Sequence, residues 1–434
     1  MHATRARSRA DRACWAAVPA SLLAALVALA LVALVLSASA PGRSAPTLAV
    51  KAPCSGDYAR GPVTAARTLR FGIDPELAGS AGSTQNQAKP VNEAKTLRAL
   101  QALRPPGKEL VLRVSRLFES DGEAGIRRWE RVIDRYTRAG FDTELQVRYH
   151  PSARQRGDIA AWTRYVRRVV DAFGPNRRLL AMTITNEVNI AFSPNTSDGG
   201  TPRAEQALVK GIIAAHQEAV RRGFGRLRFG FTFAYRFNPI TDAAVFRGLR
   251  SGGEAFRRAL GFVGVDYYPE LYPGLHVGIG VPTATGQMLA TMRRCFMRLG
   301  GLGASVPLWI TESGYDTTPG QITATQQRIA LGQILKAIRG GAKTYGVTDY
   351  RWFNLRDNAS LSTNLFATTG LLTDGYARKP SFAAYRSLIA RFGVPAPELA
   401  RARTSAPVSS RPSSRMSARR PPRWTSSRRT GRDA

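Results

Sequence analysis

The stretch AMTITNEVNI, residues 181–190, is the one from which the fold is read. Its first half is apolar and rich in β-forming residues, the pattern of a short buried strand. It ends on Asn186 and Glu187, an amide and a carboxylate. A charge at the end of a buried strand is costly unless it is paired or put to use. The pattern on either side of the stretch decides whether it stands alone or belongs to a set.

It belongs to a set. Strand-like runs recur at 68–74, 109–116, 143–150, 181–187, 226–233, 262–268, 306–312 and 343–353. Between them lie runs with apolar residues at helical spacing, clearest at 123–140, 158–174, 203–223, 285–301, 323–341 and 381–393. Several close on Gly, as helix C-caps do. Eight strands alternating with helices predict a (β/α)8 TIM barrel, an α/β fold, over residues 67–393. A doubly wound sheet is the alternative, but its phosphate-binding fingerprint is missing after the first strand. The glycine-rich run GIGVPTATG (278–286) matches no such template and reads as a loop.

The flanks differ in kind. Arg5, Arg7, Arg9 and Arg12 precede the charge-free stretch 13–40, which ends in Ala38-Ser39-Ala40. A basic flank, an apolar core and a small-x-small end predict a signal peptide, and the core is also long enough for an uncleaved membrane anchor. In both cases residues 1–40 direct the barrel to the extracytoplasmic side, secreted or anchored. Residues 41–66 read as a linker, and 394–434 as a disordered Arg/Ser/Pro-rich tail with too little apolar surface to fold. The net charge is +33, and residues 401–434 alone hold ten Arg. Such termini suit contact with a membrane or an anionic envelope polymer. No zinc-finger or other nucleic-acid-binding pattern is present, so nucleic acid is not expected as a primary partner. The scattered His and Cys give no metal-site spacing and no cofactor motif, so neither a metal nor a cofactor is expected. Cys54 and Cys295 are either a disulfide of an exported domain or two free thiols.

In a barrel of this type the active site lies at the C-terminal strand ends. Polar residues collect there. Strand four ends in Asn186-Glu187, strand seven in Thr311-Glu312, strand three in Tyr149-His150, strand six in Tyr267-Tyr268, and strand eight near Trp352. Strand two carries Arg113 and Arg116. Each Glu alone could pair with a barrel Arg. Together, facing each other across the mouth, they suit glycosidic cleavage, with one neutral acid and one nucleophile. Like charges at close range raise one carboxyl pKa and supply the acid.

The motifs TITNEVN, LWITESGYDT, VGVDYYP and YRWFNLRDN resemble those of clan A retaining glycoside hydrolases, the cellulase-like, β-xylosidase-like and galactanase-like barrels. Val188 stands where several families of that clan carry Pro. The resemblance implies a carbohydrate substrate and assigns roles. Glu187 would be the acid/base and Glu312 the nucleophile. Asn186 would bond the sugar 2-hydroxyl, and Arg113 would hold Glu312, with Arg116 competing for that part. Tyr268, or Tyr267, would hydrogen-bond the nucleophile. His150 would line the glycone subsite, or else cap the rim. Trp352 would be a stacking floor for the sugar, or else core. A transglycosylase on the same fold and a non-catalytic carbohydrate-binding barrel are the alternative functions; loss of one Glu would mark the latter, and both are present.

Overall fold

The computed structural model describes residues 53–54, 56–75, 89–235, 238–270 and 280–396. Eight parallel strands close in sequence order: β1 (Arg70–Ile73), β2 (Val111–Phe118), β3 (Asp142–Arg148), β4 (Leu179–Ile184), β5 (Arg228–Ala234), β6 (Phe262–Tyr267), β7 (Leu308–Ser313) and β8 (Val347–Trp352), with β8 pairing back to β1. The helices are α1 (Glu93–Leu103), α2 (Gly122–Arg138), α3 (Ile159–Phe173), α4 (Ala204–Arg221), α5 (Pro239–Gly248), α6 (Gly253–Ala259), α7 (Val281–Thr291), α8 (Ala324–Tyr345) and α9 (Pro380–Phe392). A π-turn, Met292–Phe296, continues α7 into a last short turn at Met297–Leu299. This is the expected TIM barrel.

Local chemistry explains the helices. Ile126, Trp129, Ile133 and Tyr136 fall on one face of α2 and are buried against the strands. Helix α8 starts in a capping box between Thr323 and Gln326 and stops at Gly346, whose φ of 66° suits a residue without Cβ. The run at 278–286 is not all loop. Val281 begins α7, and Pro282 sits in its first turn, where a missing N–H costs no hydrogen bond. The sequence pattern also passed over α1, α5 and α6. The strand β4 stops at Ile184 rather than 187, and β2 runs on to Phe118.

The lumen departs from the usual barrel interior of branched aliphatics. Near the N-terminal strand ends it is plugged by Ala181, Phe262 and Trp309, the two rings stacked 3.8 Å apart. Above the plug the interior is ionic. Arg113 Nη1 donates to Glu144 Oε1 (2.7 Å), Arg351 Nε to Glu144 Oε2 (3.2 Å) and Arg351 Nη2 to Asp349 Oδ1 (2.8 Å). The aliphatic core lies outside, between strands and helices.

Outside the barrel, Cys54 and Cys295 form a disulfide that pins the incoming chain to the π-turn, with Cα atoms 5.7 Å apart. Part of the expected linker is therefore built into the fold, and Ala66 N donates to Arg339 O. So is the start of the expected tail, where Glu109 N donates to Val394 O. The N-terminal segment 1–40 and residues 397–434 lie outside the described residues. Among the described residues no helix is long and apolar enough to cross a membrane.

Gly72 leaves room for Arg351. A Cβ there would sit 2.4 Å from Arg351 Cδ and 2.5 Å from the Val111 carbonyl oxygen. Overpacking of this kind costs about 1–3 kcal/mol. Gly72→Ala is expected to lower the thermal midpoint by several degrees, and an unchanged melting curve would contradict the packing described.

Candidate active site

The mouth is built from the residues just past each strand end. After Ile184 the chain leaves the ladder through two left-handed residues, Thr185 (φ 69°) and Glu187 (φ 43°). Such angles are strained in residues with a Cβ and persist only where neighbours hold them. Asp198 is the principal holder. One of its carboxylate oxygens accepts from Asn186 N (2.8 Å) and Tyr149 N (2.9 Å), and the other from Arg148 Nε (2.8 Å). Thr232 Oγ1 accepts from Glu187 N (3.2 Å) and donates to Asn186 Oδ1 (2.6 Å). Asn186 Nδ2 donates to Thr196 O (2.7 Å). The result is a buried Glu187 whose Oε2 accepts from Ser197 Oγ (2.6 Å).

Glu312 enters from the end of β7. Its Oε1 accepts from Arg113 Nη2 (3.2 Å) and its Oε2 from Tyr268 Oη (2.8 Å). Gln146 braces the guanidinium from the other side. Its side-chain amide lies 2.8 Å from Arg113 Nη2, 2.9 Å from the Ser115 carbonyl oxygen and 2.6 Å from Asn186 Oδ1. Tyr268 is wedged edge-on between Phe353 and Phe366, at 5.9 and 4.6 Å.

The two glutamates differ electrostatically. Burial pushes Glu187 up to about 8, helped by the charge of Glu312 and opposed by the Ser197 hydrogen bond. Burial opposes the charge of Arg113, but Glu144 and Glu312 outweigh it and raise its pKa, so it stays cationic. Burial and the Glu312 charge raise Tyr268 well above the usual phenol, so it remains a donor. The site thus holds one carboxyl that stays protonated at pH 7 beside a second that accepts from a guanidinium and a phenol.

The structure brings together Glu187, Glu312, Asn186, Arg113 and Tyr268. It separates the alternates. Tyr267 turns outward to Thr285 (3.4 Å), and the Arg116 guanidinium lies 5.9 Å from the Phe118 ring. His150 lies past the end of β3, its ring edge-on to Phe118 at 5.4 Å. Trp352 is not brought to the open mouth. It is fully buried, its Nε1 donates to Thr369 O (3.0 Å), and its ring packs against Tyr385 of α9.

Three further groups lacked a sequence signal. Ser197 and Asp198 sit in the long loop after β4. Asp266 lies inside VGVDYYP, fully buried, paired in register with Glu312 and accepting from Thr311 Oγ1 (2.7 Å). Burial, then the charges of Glu312 and Glu187, raise its carboxyl well above the ordinary range. Glu144 could have been flagged, since a charge midway along a strand is anomalous. Among the described residues no group of three His, Cys, Asp or Glu is arranged to hold a metal ion.

Known glycoside hydrolases share this barrel. A fungal β-1,4-galactanase superposes with a TM-score of 0.51 at 12% identity, over 74% of this chain and 99% of that one. GH5_18 from Streptomyces cattleya, solved with GlcNAc, gives 0.53 at 17% identity over 79% and 82%. The β-glucosidase of Thermotoga maritima gives 0.50 at 16% over 77% and 100%. The likeness is one of fold. No family model and no curated protein matches the sequence.

At the rim, Glu119 succeeds β2 with its carboxyl buried. Burial, then the charges of Asp158 and Asp198, push it up to about 7. Unfolded, it titrates near ~4.3. The folded state therefore binds this proton more tightly. The stability it contributes is complete below the unfolded value and is lost as pH rises through 7. Glu119→Gln is expected to gain stability over the parent at pH 8, with the difference shrinking towards pH 4. Denaturant unfolding at the two pH values measures this, and a pH-independent difference would contradict it.

Proposed function

We propose that the chain is an exported retaining glycoside hydrolase that cleaves O-glycosidic bonds of an oligo- or polysaccharide. The observation that carries this reading is the unequal pair. Glu312 sits between Arg113 and Tyr268, while Glu187 is buried with its carboxyl pushed up to about 8. The galactanase and β-glucosidase named among the structural neighbours act on sugars and favour the same class. Export is supported by the basic flank, the apolar stretch 13–40 and its small-residue end, and the disulfide suits an oxidising compartment.

In this mechanism Glu312 attacks the anomeric carbon as Glu187 gives its proton to the leaving oxygen. A glycosyl ester forms on Glu312, and the alcohol departs. Glu187, now a carboxylate, takes a proton from water. The hydroxide oxygen attacks the anomeric carbon, the ester bond breaks, and both glutamates return to their first state. Asn186, next to Glu187, is the residue assigned to the sugar 2-hydroxyl in this reading. Retaining enzymes hold the two carboxyl groups ~5–5.5 Å apart, and that separation is expected here.

The variants separate the roles. Glu312→Ala should lose turnover on every substrate, because no ester can form. Glu187→Ala should lose ~10²–10⁴-fold on poor leaving groups, the usual worth of a positioned acid, and much less on nitrophenyl glycosides. Azide should rescue Glu187→Ala and give a glycosyl azide of retained configuration. Full activity in either variant would sink the assignment.

The acid must be protonated at the start, so kcat/KM should fall as pH rises through the Glu187 value of about 8. With an activated substrate, Glu187→Gln should abolish that alkaline limb. Its persistence would place the titrating acid elsewhere.

A further inference from the structure

At the end of the barrel opposite the mouth, the strand starts surround a depression of about 620 Å3. Arg67, Arg70, Arg228 and Lys343 line it, and no carboxylate does. Arg70 is neutralised by Glu109 (3.0 Å) and Asp349 (3.6 Å). Arg67, Arg228 and Lys343 are exposed, and none of them forms an ion pair among the described residues.

Cations often gather at this end of a barrel because helix C-termini point there. Arg226 and Arg250 are accounted for that way, donating to the carbonyls of Gly174 (2.6 Å) and Leu299 (2.7 Å). Arg67 and Arg228 are not. Arg228 opens β5, and Arg67 precedes β1, so neither caps a helix. Exposed Arg177, Arg298 and Arg391 lie at or just past helices that end on the same side.

The chain also enters and leaves here. Cys54 is tied to Cys295 in the π-turn near the end of that helix, and Ala396 N donates to Gly107 O in the α1–β2 connection. Beyond Cys54 the sequence carries the charge-free stretch 13–40; beyond Ala396 it carries ten Arg in 401–434.

We propose that this face of the barrel docks on an anionic phospholipid bilayer, with a lipid phosphate seated among Arg67, Arg228 and Lys343. Basic groups gain from the negative surface potential of such a bilayer, and phosphate oxygens match ammonium and guanidinium donors. Docking this way turns the mouth away from the lipid, towards whatever polymer lies outside. The inference does not rest on the sugar chemistry.

The test uses the full chain and two vesicle compositions, phosphatidylcholine alone and phosphatidylcholine with phosphatidylglycerol. The ratio of the two affinities cancels insertion of apolar segments. In a chain carrying Arg67→Glu, Arg228→Glu and Lys343→Glu, the ratio should fall roughly 100-fold or more, from about fivefold per cation. Glycosidase activity and the thermal midpoint should not change. If the charge reversals misfold, the same three positions changed to Gln remove the charges with less repulsion and should still lower the ratio. Amide hydrogen exchange at 64–68 and 343–348 should slow on phosphatidylglycerol vesicles and not on phosphatidylcholine. An unchanged ratio in a folded variant would overturn the proposal and leave the tail as the attracting element. Vesicle-free binding of hexametaphosphate that the variants abolish, with the lipid ratio unchanged, would overturn it in favour of a soluble phosphoryl ligand.

Discussion

A guanidinium with no access to water can exist only where carboxylates surround it, and Arg113 is such a group. It spans from Glu144 to Glu312. That placement dictates much of the lumen. Glu144, itself buried, needs a second cation and finds it in Arg351. Arg351 pairs in turn with Asp349, Asp349 with Arg70, and Arg70 with Glu109. The ladder runs from the mouth to the far end of the barrel. Its size constrains its surroundings: Gly72 must lack a Cβ because Arg351 occupies that volume. A lumen of aliphatic side chains would be simpler to stabilise, since buried ion pairs seldom exceed well-packed apolar residues in stability. The ions supply a fixed position for one carboxylate.

The other carboxylate is held by a different device. Glu187 lies beyond the last paired residue of its strand, in a backbone conformation few residues adopt freely. Asp198 returns from the loop to bind the N–H groups of Asn186 and Tyr149 together with Arg148, and so ties the ends of β3 and β4 to one anion. Ser197, its neighbour, reaches the Glu187 carboxyl. A short loop segment therefore sets both the backbone and the hydrogen bonding of Glu187.

The barrel was legible because each strand carries its own burial signal and each helix its own spacing, and both are local. The pair was legible for a related reason: Glu187 and Glu312 are charges where a strand pattern calls for apolar residues. Strand direction was harder to read. Side chains alternate along a strand, so Arg351 in the lumen sends Trp352 outward to Tyr385, and a residue type that suits a sugar platform becomes core. Arg113 and Arg116 divide in the same way, at an irregularity in the β2–β3 pairing. Asp266 was hidden because one acidic residue inside VGVDYYP reads as a strand end, and only register shows it opposite Glu312. Ser197 and Asp198 are close to Glu187 through a loop closure that no periodicity encodes.

Two identical side chains can do opposite work only if their environments break the symmetry between them. Both glutamates are buried. The difference lies in the partners. Arg113 reaches Glu312, whereas Glu187 receives the hydroxyl of Ser197 at 2.6 Å and lies within range of the Glu312 charge. Arg113 is shared between Glu312 and Glu144, the latter also paired with Arg351, and none of these ion pairs includes Glu187. The proton on Glu187, and the second one favoured on Asp266, follow from burial first and then from the charges of the neighbouring carboxylates. The chain is strongly basic as a whole, yet at this site buried carboxyl groups crowd together, and burial with that crowding holds the Glu187 carboxyl protonated up to about pH 8.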